Sequence, residues 1–504
     1  MPPGRRLFPQ LVRLDAVTSG SPVAEDTATS HQLPPPVAHA PESKTPWFLG
    51  LDIGTSGLSA VLLNQATNQL IPLFWRQPDS SRSWFRWPID SAIGLNHDSP
   101  QASLATTSAE AAVLCQLKSA LALPLRQDMG GVLESSERLE PAYRPLSRLL
   151  ETLGPNRSAE SMAAAPWVCE GLGCDNTQLA TAMGQLCGVG VSYPAGWPNR
   201  YQVNIQSAIL EAGLVSQSNA IYAVEEAIAA AMACLRIAPS AIAKDTAPAI
   251  RPPYTLEPEG VAFVLNAGAS TTELALLDLT ALAQSHAAVL ASRTLAYAGQ
   301  ALDQDILVHH LYPQLQASSR PEVEQLLSLL QLNHGDHPQL GQPDVIKRLR
   351  LHLRLCSSGT GQQLLAIAQQ IKHDLQTMPQ SAYTIAQHHG QMTQDTFGHH
   401  ILLPYIRALT QQVQSLIEQA ALSPQSVQHI ICSGGTASMR VVHLWARQCF
   451  PNADLKFAPS IAMVEAQGSA ALPSAWLGSQ VGYGLARLPL FAQSASKPAE
   501  NAAQ

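Results

Sequence analysis

Charge is scarce in this chain. Asp, Glu, Lys and Arg make up 13% of it and hydrophobic residues 46%, where soluble proteins usually carry ~25% charged residues. The net charge of -7 lacks the basic footprint that non-specific nucleic-acid binding needs, so nucleic acid is excluded as an expected partner. No stretch approaches the ~20 apolar residues of a membrane-spanning helix, and no membrane partner is expected. The opening MPPGRRLFPQLVRLDAV carries arginines but no apolar core followed by a small-residue cleavage site, so it does not read as a secretory signal. Among the 8 cysteines no CxxC pair occurs, and Cys169 with Cys174 lacks a second pair at metal-ligand spacing. Cys115, Cys234 and Cys432 stand in apolar runs, where a thiol acts as a small hydrophobe. These absences point to a cytoplasmic protein with reduced thiols. The pairs His309-His310 and His399-His400 read as surface histidines, because adjacent side chains on one element point different ways.

What is present is organised around Trp47 to Leu63, WFLGLDIGTSGLSAVLL. An apolar run ends in Asp52, Gly54-Thr55-Ser56-Gly57 makes a polar bend, and an apolar run follows, which predicts a β-hairpin with a glycine-rich tip. Such a tip gathers backbone N–H groups toward one point, as phosphate oxygens require, and a carboxylate at the strand end can hold a divalent cation. Residues 1–45, rich in Pro, Ser, Ala and Thr, read as a disordered tail. A third strand is predicted over Leu70–Trp75, a helix over Ala109–Leu121, an irregular insertion over 124–160 and an amphipathic helix over Arg200–Ala212 closed by Gly213. Tyr222–Leu235 changes from strand to an alanine-rich helix.

Residues 236–260 are Pro-rich and without hydrophobic period, so 241–260 is assigned as a linker between a first lobe, 46–240, and a second, 261–475. At Val261 the chain begins again. VAFVLNAGASTTELALLDL repeats the grammar of the first hairpin, which suggests an internal duplication. Further helices are predicted near 301–311, 321–332, 344–355, 361–375, 397–420, 439–449 and 462–472, with strands at Ala382–Ile385 and His429–Cys432. Residues 476–504 read as a second tail.

In this order the segments resemble the actin, hexokinase and DnaK-type chaperone ATPase superfamily, most closely the nucleotide-binding domain of the DnaK-type heat-shock 70 kDa (Hsp70) family. GLDIGTSGLSAVLL is similar to that family's first phosphate hairpin, IYAVEEAIAAAMA to its connecting segment and VAFVLNAGASTTELALLDL to its second phosphate hairpin. AGQALDQDIL matches a glycine-aspartate segment at Gly299 and Asp303. IICSGGTASMRVV resembles the adenosine segment and PSIAMVEAQGSAA the final helix. The resemblance implies an α/β actin-like ATPase fold, a ribonuclease H-like duplication with two lobes around a nucleotide cleft. It also implies ATP or ADP with Mg2+ as ligands and a protein partner that the sequence does not identify.

By that resemblance Asp52 orients Mg2+ through water, and Gly54, Thr55 and Ser56 hold the β- and γ-phosphates. Glu226 stands near the metal, with helix-dipole complementarity as its plainer reading. Gly268, Thr271 and Thr272 face the phosphates from the second lobe, and Gly299 belongs to its glycine-aspartate segment. Gly434 and Gly435 admit the nucleotide's base, ribose or α-phosphate, and Lys372 is what remains of a clamp on adenine. Lys118 lies near the position of a phosphate-contacting lysine and reads equally as a solvated side chain.

The departures carry weight of their own. Asn266 stands where the family has an aspartate that supports the metal's water shell and the attacking water, and an amide cannot accept that proton. Ala269 and Ser270 replace two glycines, and Glu273 replaces an aspartate. Only thirty residues (475–504) follow Ser474, too few for the family's peptide-binding β-sandwich and lid, so no peptide-binding domain is expected. The expected function is a nucleotide-dependent regulator or co-chaperone with weak or absent ATPase activity. The alternatives are a degenerate scaffold that binds no nucleotide, or a small-molecule kinase of the same superfold, for which no catalytic aspartate is evident.

Overall fold

A computed structural model describes residues 12–13, 47–76, 83–84, 87–88, 117–122, 143–154, 168–236, 254–284, 287–330, 337–457 and 480–491. It is an α/β molecule built on two large sheets. In the first, β1 (Trp47–Ile53), β2 (Gly57–Asn64) and β3 (Gln69–Arg76) form an antiparallel meander. The helix α1 (Leu117–Ala122) follows, and then β4 (Leu186–Tyr193) pairs parallel to β1. After α2 (Asn199–Glu211) the strand β5 (Ile221–Glu225) pairs parallel to β4 and runs directly into α3 (Glu226–Cys234). The order across the sheet is β5-β4-β1-β2-β3.

The second sheet repeats the plan. Strands β6 (Val261–Ala267), β7 (Thr272–Asp278) and β8 (Val289–Leu295) form another antiparallel meander. A helical layer follows: α4 (Gly299–Ile306), α5 (Val345–Cys356), α6 (Gly359–Asp374) and α7 (Leu403–Ala420). Strand β9 (Val427–Ser433) then pairs parallel to β6, and after α8 (Arg440–Cys449) strand β10 (Asp454–Phe457) pairs parallel to β9. The order β8-β7-β6-β9-β10 matches the first sheet strand for strand and direction for direction, as the repeated hairpin grammar leads one to expect.

Apolar runs on either side of a short polar bend explain why both hairpins form, and burial explains why they stay. Leu49, Leu51, Ile53, Leu58 and Leu62 are buried in one cluster of the first half, while Phe48, Val61 and Leu63 face the opposite way into another. That second cluster lies between the sheets. Both faces of β1 and β2 are therefore covered, so these strands read as almost continuous apolar runs rather than a polar-apolar alternation.

The cluster between the sheets contains α3 and a helix that the sequence reading misses. The tail expected over 476–504 includes a helix, α9, at 480–491, with Val481, Tyr483, Leu485, Ala486, Leu488 and Phe491 buried. Small residues permit its close approach. A Cβ on Gly50 would lie 2.3 Å from the Gly482 carbonyl oxygen, and one on Gly484 would lie 1.7 Å from that of Ala229. Arg487 is buried and donates to the carbonyls of Met232, Ala233 and Leu235, the unsatisfied C-terminal acceptors of α3. The final helix expected within PSIAMVEAQGSAA lies outside the described residues.

Other boundaries move as well. The linker's end is stitched to the first half, since Leu256 is buried and its N–H donates to the Cys234 carbonyl at 2.8 Å. Within the expected N-terminal tail, Val12–Arg13 pairs antiparallel with Ala223 and Tyr222, covering part of the outer edge of β5. The strand expected over Ala382–Ile385 spans Gln380–Ile385 and pairs with His388–Thr393 in a separate hairpin. No helix among the described residues is long and apolar enough to cross a membrane.

Candidate functional site

The two sheets bring their first hairpins tip to tip. In the first, the Gly54 N–H donates to the Gly57 carbonyl at 2.9 Å and the Gly57 N–H to the Gly54 carbonyl at 3.3 Å, leaving Thr55 and Ser56 at the apex. In the second, the Gly268 N–H donates to the Thr271 carbonyl at 3.0 Å. The Thr55 and Ser270 hydroxyls meet at 2.6 Å across the gap.

Beneath the tips lies a line of buried polar groups. Asp52 closes β1 and its Oδ1 accepts from the Ser192 hydroxyl at 3.1 Å, because residue 192 lies on the adjoining strand β4 with the same facing. Lys118 of α1 is buried and forms an ion pair with Glu226, the first residue of α3. This excludes the solvated reading of Lys118, whose ammonium also lies 5.9 Å from the Trp197 ring centre. Asn266 at the end of β6 donates from Nδ2 to Glu226 Oε2 at 2.8 Å. Glu226 thus holds one cation of the first half and one amide of the second, and its place at the helix N-terminus also suits the dipole.

Glu273 stands opposite Asn266 in the β6–β7 register. Its Oε1 accepts from the Ala195 N–H at 2.8 Å and its Oε2 from the Ala227 N–H at 3.1 Å, both in the first half. Burial, reinforced by the neighbouring Glu226 carboxylate, pushes its pKa well above the ordinary carboxyl value despite Lys118 and the bond to Ala195. Burial likewise raises Glu225. The Tyr201 side chain on α2 is fully buried, and its hydroxyl has no hydrogen-bond partner among the described residues. Its pKa is driven far up by burial and then by the fields of Glu226, Asp52 and Glu273, which places it beside the same carboxylates.

The second loop is braced by its own half. The Gly268 carbonyl accepts from the Gly299 N–H at 3.2 Å and the Thr436 hydroxyl at 2.6 Å, and the Ala269 carbonyl from the Gln300 N–H at 2.8 Å. Gly434 has φ +89°, and a Cβ there would lie 2.3 Å from the Ala267 oxygen, so this turn requires glycine. Gly435 is different. Among the described residues nothing lies within 4 Å of the position its Cβ would take, and at Gly268 the nearest such atom stands 4.0 Å away.

Two expected site residues turn out to be bracing groups. Thr272 does not face the gap: it is fully buried, with its hydroxyl donating to the Tyr297 carbonyl and sharing a hydrogen bond with the Tyr405 hydroxyl, both 2.9 Å. The alternation of β7 sends side chain 272 into the second half's core. Lys372 pairs with Asp303 at 2.7 Å and donates to the Gly299 carbonyl at 2.9 Å, tying α6 to the start of α4. Thr271 is buried at the tip, and Ser56 is half-buried.

Of the residues the sequence reading singles out, Lys118 and Asn266 both bond to Glu226 and Asp52 bonds to Ser192; that reading does not name Ser192, Tyr201 or Thr436 as site residues. Thr436 follows the paired glycines directly, and Tyr201 is the i+4 partner of Trp197, whose ring it meets edge-on at 4.9 Å. Those two signals are in the sequence.

The histidine pairs both fall on π-helical turns, Leu307–Leu311 and Gly398–Leu402. His309 contacts the Pro338 carbonyl at 3.0 Å and His399 the Asp395 carbonyl at 3.0 Å. Among the described residues no group of three or more His, Cys, Asp or Glu side chains is arranged to hold a metal ion directly. Comparison of the chain with protein-family models and with curated proteins returns no match.

Proposed function

We propose that this chain is a DnaK-type, actin-like nucleotide-binding protein, in which ATP or ADP between the two halves governs a protein partner while hydrolysis is weak or absent. The observation that carries this reading is the pair of identically ordered sheets whose first hairpins meet over Asp52, Lys118, Glu226 and Asn266. The space that the described residues leave beside Gly268 and Gly435 gives a phosphate or ribose room against backbone. Mg2+, when bound, supplies positive charge to the phosphate oxygens, with Asp52 holding it through water. Weak hydrolysis follows from Asn266, whose amide donates to Glu226 and leaves no carboxylate there to take a proton from water.

A second reading is favoured by one specific observation. The Thr55–Ser270 hydrogen bond closes the space between the tips, as in a scaffold that binds no nucleotide and acts through its surface. Isothermal titration with Mg-ATP and Mg-ADP separates the two. Heat and a raised melting temperature are expected; absence of both eliminates the nucleotide reading and leaves the scaffold.

A further inference from the structure

We propose that His310 is a pH-sensitive fastener for the hairpin of strands Gln380–Ile385 and His388–Thr393, and that its protonation loosens the hairpin's hold on the second half. The hairpin is a sheet of its own, so side chains hold it rather than a ladder to either large sheet. Tyr383 and Ile385 point inward at alternate positions and, with Met392 from the facing strand, are buried in the second half's core. The Arg320 guanidinium also donates to the Gln387 carbonyl at the hairpin's turn.

His310 makes the polar link to both strands. It lies half-buried on the π-helical turn Leu307–Leu311, a geometry that recurs at functional sites. The Tyr383 hydroxyl donates to Gln314 Oε1 at 2.5 Å, and Gln314 Nε2 lies 3.3 Å from His310 Nε2. The amide nitrogen is a donor only, so His310 Nε2 is the unprotonated ring nitrogen and the proton sits on Nδ1. That Nδ1–H serves the hydrogen bond His310 makes to the Gln391 backbone, on the second strand. Gly390 makes room for the arrangement. It stands opposite Tyr383, and a Cβ there would lie 2.5 Å from the Tyr383 hydroxyl.

A second proton, on Nε2, sets donor against donor at Gln314. If the amide turns over to receive it, Tyr383 meets an NH2 group and loses the acceptor for its own proton. Burial disfavours the imidazolium, the Gln391 bond favours it, and the field of His400 on the π-helical turn Gly398–Leu402 opposes it again, which leaves the His310 pKa below its ordinary 6.5. Among the described residues no carboxylate acts on the ring as a counter-ion. The acids of the neighbouring helices are engaged elsewhere: Asp303 of α4 pairs with Lys372 of α6, Asp305 with Arg348, and Asp374 of α6 accepts from Ser381. The other nearby imidazoles are spent on Pro338, Thr384 and Asp395, by His309, His389 and His399 in turn.

Above pH 6.5 the ring is neutral whether the hairpin is docked or loose, so the fastening is complete. It is lost as pH falls from 6.5 through the lower docked value. The hairpin follows α6 directly, with Ser381 Oγ donating to Asp374 Oδ2 at 2.8 Å. Helix α6 in turn carries Lys372, which braces the Gly299 carbonyl, so the fastener sits one helix away from the second loop.

The test is amide hydrogen exchange of the full-length chain at pH 5 and pH 7.5, corrected for the intrinsic pH dependence of exchange and run without nucleotide. Protection over residues 380–393 should fall about fivefold at pH 5, with no such loss in β6. His310→Asn keeps a donor for the Gln391 backbone and should abolish the pH effect. Tyr383→Phe cuts the link at Gln314 and should lower hairpin protection already at pH 7.5. Exchange of the imidazole C2 hydrogen should place the His310 midpoint below 6.5, and His400→Gln should raise it. The proposal is overturned by equal hairpin protection at the two pH values, by a pH effect that persists in His310→Asn, or by a His310 midpoint at or above the ordinary value. Because no nucleotide is present, failure here leaves the cleft's assignment untouched, and the two proposals fail separately.

Discussion

Asn266 has a structural occupation that the sequence alone does not reveal. Its amide donates to Glu226, so Asn266→Asp replaces a donor by a second carboxylate against the first. Losing a hydrogen bond to a charged group costs about 1.5–3 kcal/mol, and urea unfolding at neutral pH should detect that loss. Under the proposed function the same substitution raises steady-state phosphate release; turnover unchanged by it would count against the role assigned to residue 266. Lys118 permits a sharper stability test. Removing one member of a buried ion pair costs about 3–5 kcal/mol because the other charge is stranded. Lys118→Met should therefore lower the unfolding free energy strongly, and Lys118→Met/Glu226→Gln by less than the sum of the single changes. For Glu273, the folded protein binds the carboxyl proton more tightly than the unfolded chain. Its contribution to stability is present below the ordinary value of 4.5 and is lost as pH rises from there through the raised folded value. Unfolding measured at pH 5 and pH 8 should show a smaller decline in Glu273→Gln than in the parent.

At the scale of elements, the hairpins and the strand-to-helix passage at Glu225–Glu226 are legible in the sequence, because apolar runs punctuated by Gly54 or Gly268 admit few alternatives. The duplication is legible for the same reason. Helix α9 is not: Gly482 and Gly484 weaken its helical signal, and the small side chains that look like tail composition are what fit it between the sheets. Thr272 is lost for a different reason, since a one-residue step along β7 decides between the gap and the core. Two glycines test these assignments against each other. Gly484→Ala should sharply reduce soluble yield and melting temperature, since its Cβ would sit 1.7 Å from the Ala229 oxygen. Gly435→Ala meets no described residue within 4 Å and should leave stability unchanged while weakening any nucleotide bound there.

Across the whole molecule, the halves are joined by polar contacts of different kinds. Glu273 and Asn266 reach from the second half into the first, and Thr55 meets Ser270 above them. Under the proposed function, a phosphate seated between the tips takes the place of the Thr55–Ser270 bond. Ser270→Gly should therefore improve ADP affinity severalfold in titration calorimetry, and an affinity that instead falls would make Ser270 a ligand rather than an obstacle. Helix α9 also orders events in time. Arg487 lies 255 residues beyond the Met232 carbonyl it engages, so during synthesis the first sheet and α3 emerge long before their cover exists. Until the ribosome has delivered that helix, the face around Gly50 and Ala229 lacks the cover that residues 480–491 provide.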